Sequence, residues 1–350
     1  MNGALYPCLV ADIGGTNARF GWLAARHAPV SHVTVLPVRE HSGPVAAANA
    51  YLDGLRQQLG DASLRPSSAA FAVATAVAGD QVELTNSHWS FSRRQVQQDL
   101  GVSPLLVLND FEALALSLPR LGDGQLRAWV AGDAIQPYLP ASAAATMAVI
   151  GPGTGLGVAG VTPTPQGWIA LPCEGGHASL SAADDFESAL LAHVRTQYAH
   201  VSAERLLSGI GLPVLHAAVV AVMGHQGAQG KQGERGEQAH VPLALSSEQI
   251  VARGLSGEDP LCAQALDSFC ALLGSFAGNV ALILGARGGV YIGGGIVPRL
   301  GERFFASRFR ERFEAKGRFQ GYLAAIPTAL ITDTLAALTG VAAAIEQLDD

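Results

Sequence analysis

Lysine is almost missing from this 350-residue chain, which holds only Lys231 and Lys316. Charged residues of all kinds make up 15%, and the net charge is −7. A nucleic-acid binder carries a basic stripe; none is legible, so no nucleic-acid partner is expected. Anionic ligands stay open, because backbone N–H groups bind phosphate without Lys or Arg. The four cysteines are Cys8, Cys173, Cys262 and Cys270. Their spacing fits neither a Cys-x-x-Cys metal knuckle nor a dense disulfide framework. Free thiols in a reducing, cytoplasmic compartment are the expectation. No long run lacks polar breaks in the way a membrane-spanning helix requires. Met1 to Pro7 lacks the basic region of a secretory signal. No membrane association is therefore expected.

What the chain does have is apolar residues, 49% of the total, and 41 glycines. That is enough for a large core, and the length suggests two domains. The chain enters an apolar strand at Cys8-Leu9-Val10-Ala11, turns at Gly14-Gly15, and resumes a strand pattern at Ala18 to Leu23. Met147-Ala148-Val149-Ile150, the turn Gly151 to Gly157 and Val158 to Val161 repeat that plan. Strands at Ala69–Ala74 and Leu105–Leu108 alternate with helical spacing over Pro44–Gly60 and from Glu112 to Leu116. This alternation predicts α/β architecture. Leu261 to Leu284 reads as a long apolar helix. Residues 224–240 carry glycine at every third position from Gly224 to Gly236 and read as a polar surface loop.

Three glycine turns each follow an apolar strand. Phosphates need several N–H donors at close range, and a β-carbon would hold the backbone away. The first turn, Ala11-Asp12-Ile13-Gly14-Gly15-Thr16-Asn17, offers such a cradle, and Asp12 offers a carboxylate for Mg²⁺, held through water. The second, Gly153-Thr154-Gly155, suits the same phosphate chain. The third, Gly293-Gly294-Gly295, gives a flat surface for a nucleoside. None has the Gly-Lys-Ser/Thr of a Walker loop or the spacing of a dinucleotide fingerprint. Asn109-Asp110 ends a strand, where α/β sheets place ligands, and Asp110 is a suitable base for an alcohol acceptor. Taken alone, Asn-Asp is more often a turn or helix cap. Glu174, His177 and Glu204 are residue types that bridge neighbouring sugar hydroxyls. Taken alone, His177 is a core or capping histidine, and Glu204 a first-turn carboxylate behind Ser202. A metal at Glu174-x-x-His177 is weakly supported, with no further His or Cys at ligand spacing.

Together these segments resemble the bacterial glucokinase family of the actin-like ATPase superfamily. The segments are Asp12 to Arg19, Leu108 to Ala113, Gly151 to Gly157, Glu174 to His177, His200 to Gly209 and Gly289 to Pro298. The resemblance runs in order over nearly the whole chain. It implies two actin-like (ribonuclease H-like) α/β domains with a cleft between them, with borders at 1–119 plus about 331–350 and at 120–330. It implies transfer of the γ-phosphate of ATP to the 6-hydroxyl of D-glucose with Mg²⁺, with Asp110 as base. Asn109, Asp110, Glu174, His177 and Glu204 would hold the sugar. A cytoplasmic homodimer is implied as well. Cys173 stands where the family usually has a small non-thiol residue, and a packed, inert thiol is the expectation. Without a cysteine cluster, the zinc site of the related ROK kinases is not expected. Another hexose or an amino sugar as acceptor is the alternative. A sugar-sensing repressor is disfavoured, since about seven residues precede the first strand, too few for a helix-turn-helix.

Overall fold

A computed structural model describes residues 5–129, 145–229 and 245–349. They fall into two compact units, Met1–Gln125 with Ala159–Pro172 and Asp333–Asp350, and Leu126–Val158 with Cys173–Thr332. Ala159–Pro172 belongs to the first unit, whereas the sequence borders left it in the second.

In the first unit, β1 (Cys8–Ile13), β2 (Asn17–Leu23), β3 (Ser31–Pro37), β4 (Ser68–Val73) and β7 (Leu105–Asn109) form a sheet of order β3-β2-β1-β4-β7. Two short strands, β5 (Gln81–Glu83) and β6 (Ser90–Ser92), pair separately. β1 and β2 are the antiparallel hairpin expected from the sequence, while β1, β4 and β7 run parallel. Strand side chains alternate between faces. Leu9, Ala11, Ile13, Ala69, Phe71 and Val73 thus pack into one core, beneath the helix Pro44–Leu59. Cys8, Val10, Ala70 and Ala72 point to the other face and meet the helix Ala336–Glu346.

That second face is lined by small residues, and the crossing is correspondingly tight. A Cβ on Gly340 would overlap the backbone carbonyl of Ala113 in the helix Asp110–Ser117. Only glycine allows two helix backbones to come so close. The contact fixes the helix that begins at Asp110.

The second unit contains β8 (Leu126–Ala128), β9 (Met147–Pro152), β12 (Gly289–Ile292) and β13 (Thr328–Ile331). β9, β12 and β13 are parallel, and β8 closes the edge antiparallel. After its turn β9 leads into its sheet neighbour β10 (Leu156–Thr164), which is followed by β11 (Gly167–Cys173). The core is dominated by the helix Pro260–Leu284. Asp259 caps it, accepting from Leu261 N at 2.8 Å and Cys262 N at 3.2 Å.

Two expectations change here. By length and composition Pro260–Leu284 is apolar enough to cross a membrane, which the sequence reading did not see; 78% of its apolar window is buried, as in a core helix. The helix Leu212–Gln229 takes in the first residues of the glycine-rich segment, so no loop begins at Gly224. Helical continuation costs glycine only about 1 kcal/mol, which the preceding apolar turns offset. Residues 230–240 of that segment lie outside the described residues.

Candidate active site

Each unit gathers its own set of expected residues. In the first, parallel pairing aligns Ile13 with Val73 and Val73 with Asn109, so Asp12 and Asp110 sit at the same carboxyl edge of the sheet. The turn after Asp12 is closed by Gly14 N donating to Asn17 O at 2.9 Å, and Thr16 is exposed. Asn86 packs over Gly15. Hairpin register sets Arg19 opposite Asp12, and its guanidinium donates to Asp12 Oδ2 at 3.0 Å. Even so, burial holds the Asp12 carboxyl above its usual range against the pull of Arg19.

Asn109 is the helix cap that its residue type suggested. Its Oδ1 accepts from Phe111 N at 2.9 Å and Glu112 N at 3.3 Å. Its Nδ2 donates to the Thr75 carbonyl at 3.0 Å. One amide therefore starts the helix and ties it to the loop after β4. Asp110, next along, accepts from Phe111 N at 3.0 Å through Oδ1. Burial, then the negative charge of Asp12, pushes the Asp110 carboxyl up from 3.8 to about 6. Backbone hydrogen bonds pull the other way and lose. A carboxylate tuned toward neutrality at a strand end suits a general base.

In the second unit the turn Gly153-Thr154-Gly155 ends β9. Gly153 N bonds Gly155 O at 2.9 Å. The segment holding Glu204 is stapled to this turn: Gly209 N donates to Gly153 O at 2.7 Å, and Leu156 N to Glu204 Oε2 at 2.9 Å. A Cβ on Gly155 would overlap that same carboxylate oxygen. The third glycine turn joins the second, since Gly293 N bonds Ile150 O at 2.8 Å and Ile296 N bonds Pro152 O at 3.2 Å. The helix Val297–Leu300 begins there with proline in its first turn. Gly294 and Gly295 thus lie beside the end of β9, and Gly295 is exposed.

Glu174 and His177 frame a short 3-10 turn, Gly175–His177. His177 Nε2 lies 4.0 Å from Glu174 Oε2, and its Nδ1 lies 3.9 Å from Glu204 Oε1. Glu204 N also donates to Gly176 O at 2.9 Å. The imidazole therefore bridges two carboxylates, and all three side chains keep access to solvent. Such a set can grip several hydroxyls at once. Ser202 Oγ does accept from Arg205 N at 3.2 Å, but no helix follows, so Glu204 is no first-turn carboxylate. Cys173 corrects another expectation: it is exposed, with Sγ 3.3 Å from Val158 O, because the strand carrying it ends at the surface.

A family model described as glucokinase matches residues 9–348. The glucokinase of Neisseria meningitidis serogroup C (strain FAM18) is 44% identical over 341 residues, 97% of this chain and 95% of that one. The chain belongs to the glucokinase family. It is accordingly an ATP-dependent sugar kinase, a transferase with two α/β domains. The glucokinase of Chromobacterium violaceum is 47% identical over 339 residues, covering 97% of this chain and 89% of that one. A solved glucokinase from an Antarctic psychrotroph matches with a TM-score of 0.80 and 36% identity, over 97% of this chain and 98% of that one.

Sequence reasoning gave no role to Arg19, Thr75, Asn86 or Gly209. Arg19 was legible in principle, as its partner follows from hairpin register. Thr75 and Asn86 contribute a backbone group or packing from distant segments, and no local pattern marks them; Gly209 closes the segment His200 to Gly209, but its bond to Gly153 O is set by the fold.

Proposed function

We propose that the chain transfers the γ-phosphoryl group of ATP to the 6-hydroxyl of D-glucose, with Asp110 as the base. The observation that carries this is the Asp110 carboxyl, raised to about 6 at a sheet edge and oriented by the Asn109 cap. As the new P–O bond forms, the acceptor hydroxyl loses its proton to Asp110. Asn109, Glu174, His177 and Glu204 hold the remaining hydroxyls. Asn109 already spends Oδ1 on the helix and one N–H on Thr75, so its second N–H is the group left for sugar.

Phosphate charge is met by backbone donors of residues 11–17 and 153–155, with Gly294 and Gly295 against the nucleoside. The lysine among the described residues contributes little: Lys316 donates to Ser275 O at 2.9 Å, a structural bond. Mg²⁺ fits the residues present, because the negative charge of Asp12 already weighs on Asp110. Asp12 would hold the ion through water. When bound, Mg²⁺ would neutralise the phosphate oxygens during transfer. A homodimer and a cytoplasmic setting belong to this proposal, checked by sedimentation and by cell fractionation.

The test is a coupled assay with ATP across glucose, its epimers and amino sugars, on wild type and Asp110→Ala. The variant should lose at least about two orders of magnitude in turnover. Near-normal glucose phosphorylation by that variant would overturn the assignment.

A further inference from the structure

Cysteine spacing in the sequence gave no metal site, yet the fold brings three ligand types together across 46 residues. His216 lies on the helix Leu212–Gln229, and Asp259 and Cys262 lie at the start of Pro260–Leu284. One ligand atom from each lies within 4.8 Å of the other two. Cys262 is fully buried, whereas His216 and Asp259 are only half-buried. None belongs to the candidate active site.

We propose that His216, Asp259 and Cys262 form a zinc site that pins the core helix to its neighbour. The separation of Cys262 Sγ from His216 Nε2 is 3.5 Å. A tetrahedral ion with bonds of about 2.3 Å to sulfur and 2.0–2.1 Å to nitrogen sets these atoms about 3.5 Å apart. Asp259 Oδ1 is occupied by the helix cap, so its second oxygen is the ligand. Thiolate, imidazole and carboxylate suit Zn²⁺ over Mg²⁺ or Ca²⁺, which take oxygen ligands. On binding, the Cys262 S–H proton leaves to solvent and the thiolate–zinc bond forms. Thiolate and carboxylate then balance the two charges of the ion. Arg253, exposed on the adjacent helix Ser247–Ser256, and Arg303, which donates to Ala263 O at 3.0 Å, are positive groups nearby. The solvent side of His216 and Asp259 leaves the fourth position to water.

The experiment loads untagged full-length chain with zinc alone, removes the excess by desalting, and measures bound metal by mass spectrometry. Wild type should retain stoichiometric zinc, as should Cys270→Ser, which alters a buried thiol in the same helix. His177→Ala should retain it too, separating this cluster from His177 and its two carboxylates. Cys262→Ser and His216→Ala should lose it, with affinity falling by more than the roughly 10–100-fold that loss of an outer hydrogen-bond partner brings. Cobalt(II) should give a sulfur-to-metal charge-transfer band in wild type and none in Cys262→Ser. Circular dichroism verifies folding of each variant, and His216→Ala serves if Cys262→Ser does not fold. A wild type that leaves the column free of zinc, a cobalt spectrum without that band, or zinc retention equal to wild type in Cys262→Ser and His216→Ala would overturn the site.

Discussion

Replacing Asp110 by Asn should abolish turnover and make the protein more stable. The carboxyl is displaced from 3.8 to about 6, chiefly by burial and then by the charge of Asp12. At about 1.4 kcal/mol per pH unit, keeping it ionised in the fold costs about 3 kcal/mol at neutral pH. The sign follows from linkage: between about pH 4 and pH 6 the folded state binds this proton more tightly than the unfolded chain, so stability falls as pH rises. Below about pH 4 both states are protonated and the penalty vanishes. Asn removes the penalty and keeps an acceptor for Phe111 N. It forfeits a negative charge at a helix N-terminus, worth about 0.3–1 kcal/mol. The net gain is roughly 2 kcal/mol. Spread over a unit of this size, that is roughly 4–8 °C in Tm. Calorimetry of the ligand-free chain across that pH range checks it. The Tm gap between variant and wild type should open through about pH 6 and then stay flat. An unchanged or lower Tm at every pH would refute the burial argument. Retained turnover would refute the role of the base.

Four further outcomes follow from the same geometry. The kcat/KM for glucose should fall below about pH 6 as Asp110 takes up its proton; Asp12→Asn should move that limb to lower pH by less than about one unit, since burial is the larger cause. Gly155→Ala should displace the Glu204 carboxylate from Leu156 N, and with Glu204→Gln should give a non-additive double-mutant cycle in kcat/KM, by about 0.5–3 kcal/mol. Gly340→Val should drive a side chain into the Ala113 carbonyl and lower stability by at least about 1–3 kcal/mol, read as a fall in Tm. Asn109→Ala should lose the cap, about 0.5–2 kcal/mol, whereas Asn109→Asp keeps the cap and loses both amide N–H bonds, to Thr75 O and to the sugar.

Elements were legible wherever local physics set them. The hairpin of β1 and β2 follows from apolar alternation around Gly14-Gly15, and the helix from Asp110 follows from a capping Asn after an apolar strand. The partners of the site residues were much less legible. Asn109 reaches Thr75, Glu204 reaches Leu156, and Gly209 reaches Gly153, each across 34 to 56 residues. Those pairings depend on strand order and on how loops pack, which local periodicity does not encode. The helix Pro260–Leu284 shows the same limit from the other side. Its composition fits a lipid-facing span, and only the core around it turns that apolar surface inward.

Glu204 shows what this distance between local pattern and tertiary contact means for function. From the sequence it was a candidate for sugar hydroxyls or, taken alone, a first-turn helix carboxylate behind Ser202. In the fold one oxygen takes Leu156 N, at the end of the second glycine turn, and the other lies 3.9 Å from His177. A group that holds a candidate phosphate turn with one oxygen and a candidate sugar residue with the other cannot move without disturbing both. Substituting it should therefore alter the KM for ATP as well as for glucose. A variant that changed only the glucose KM would show that the Leu156 bond does not constrain the turn. The glycine turns, weak as isolated motifs, gain their force from such tertiary ties, because these decide which side chains the turns are bound to.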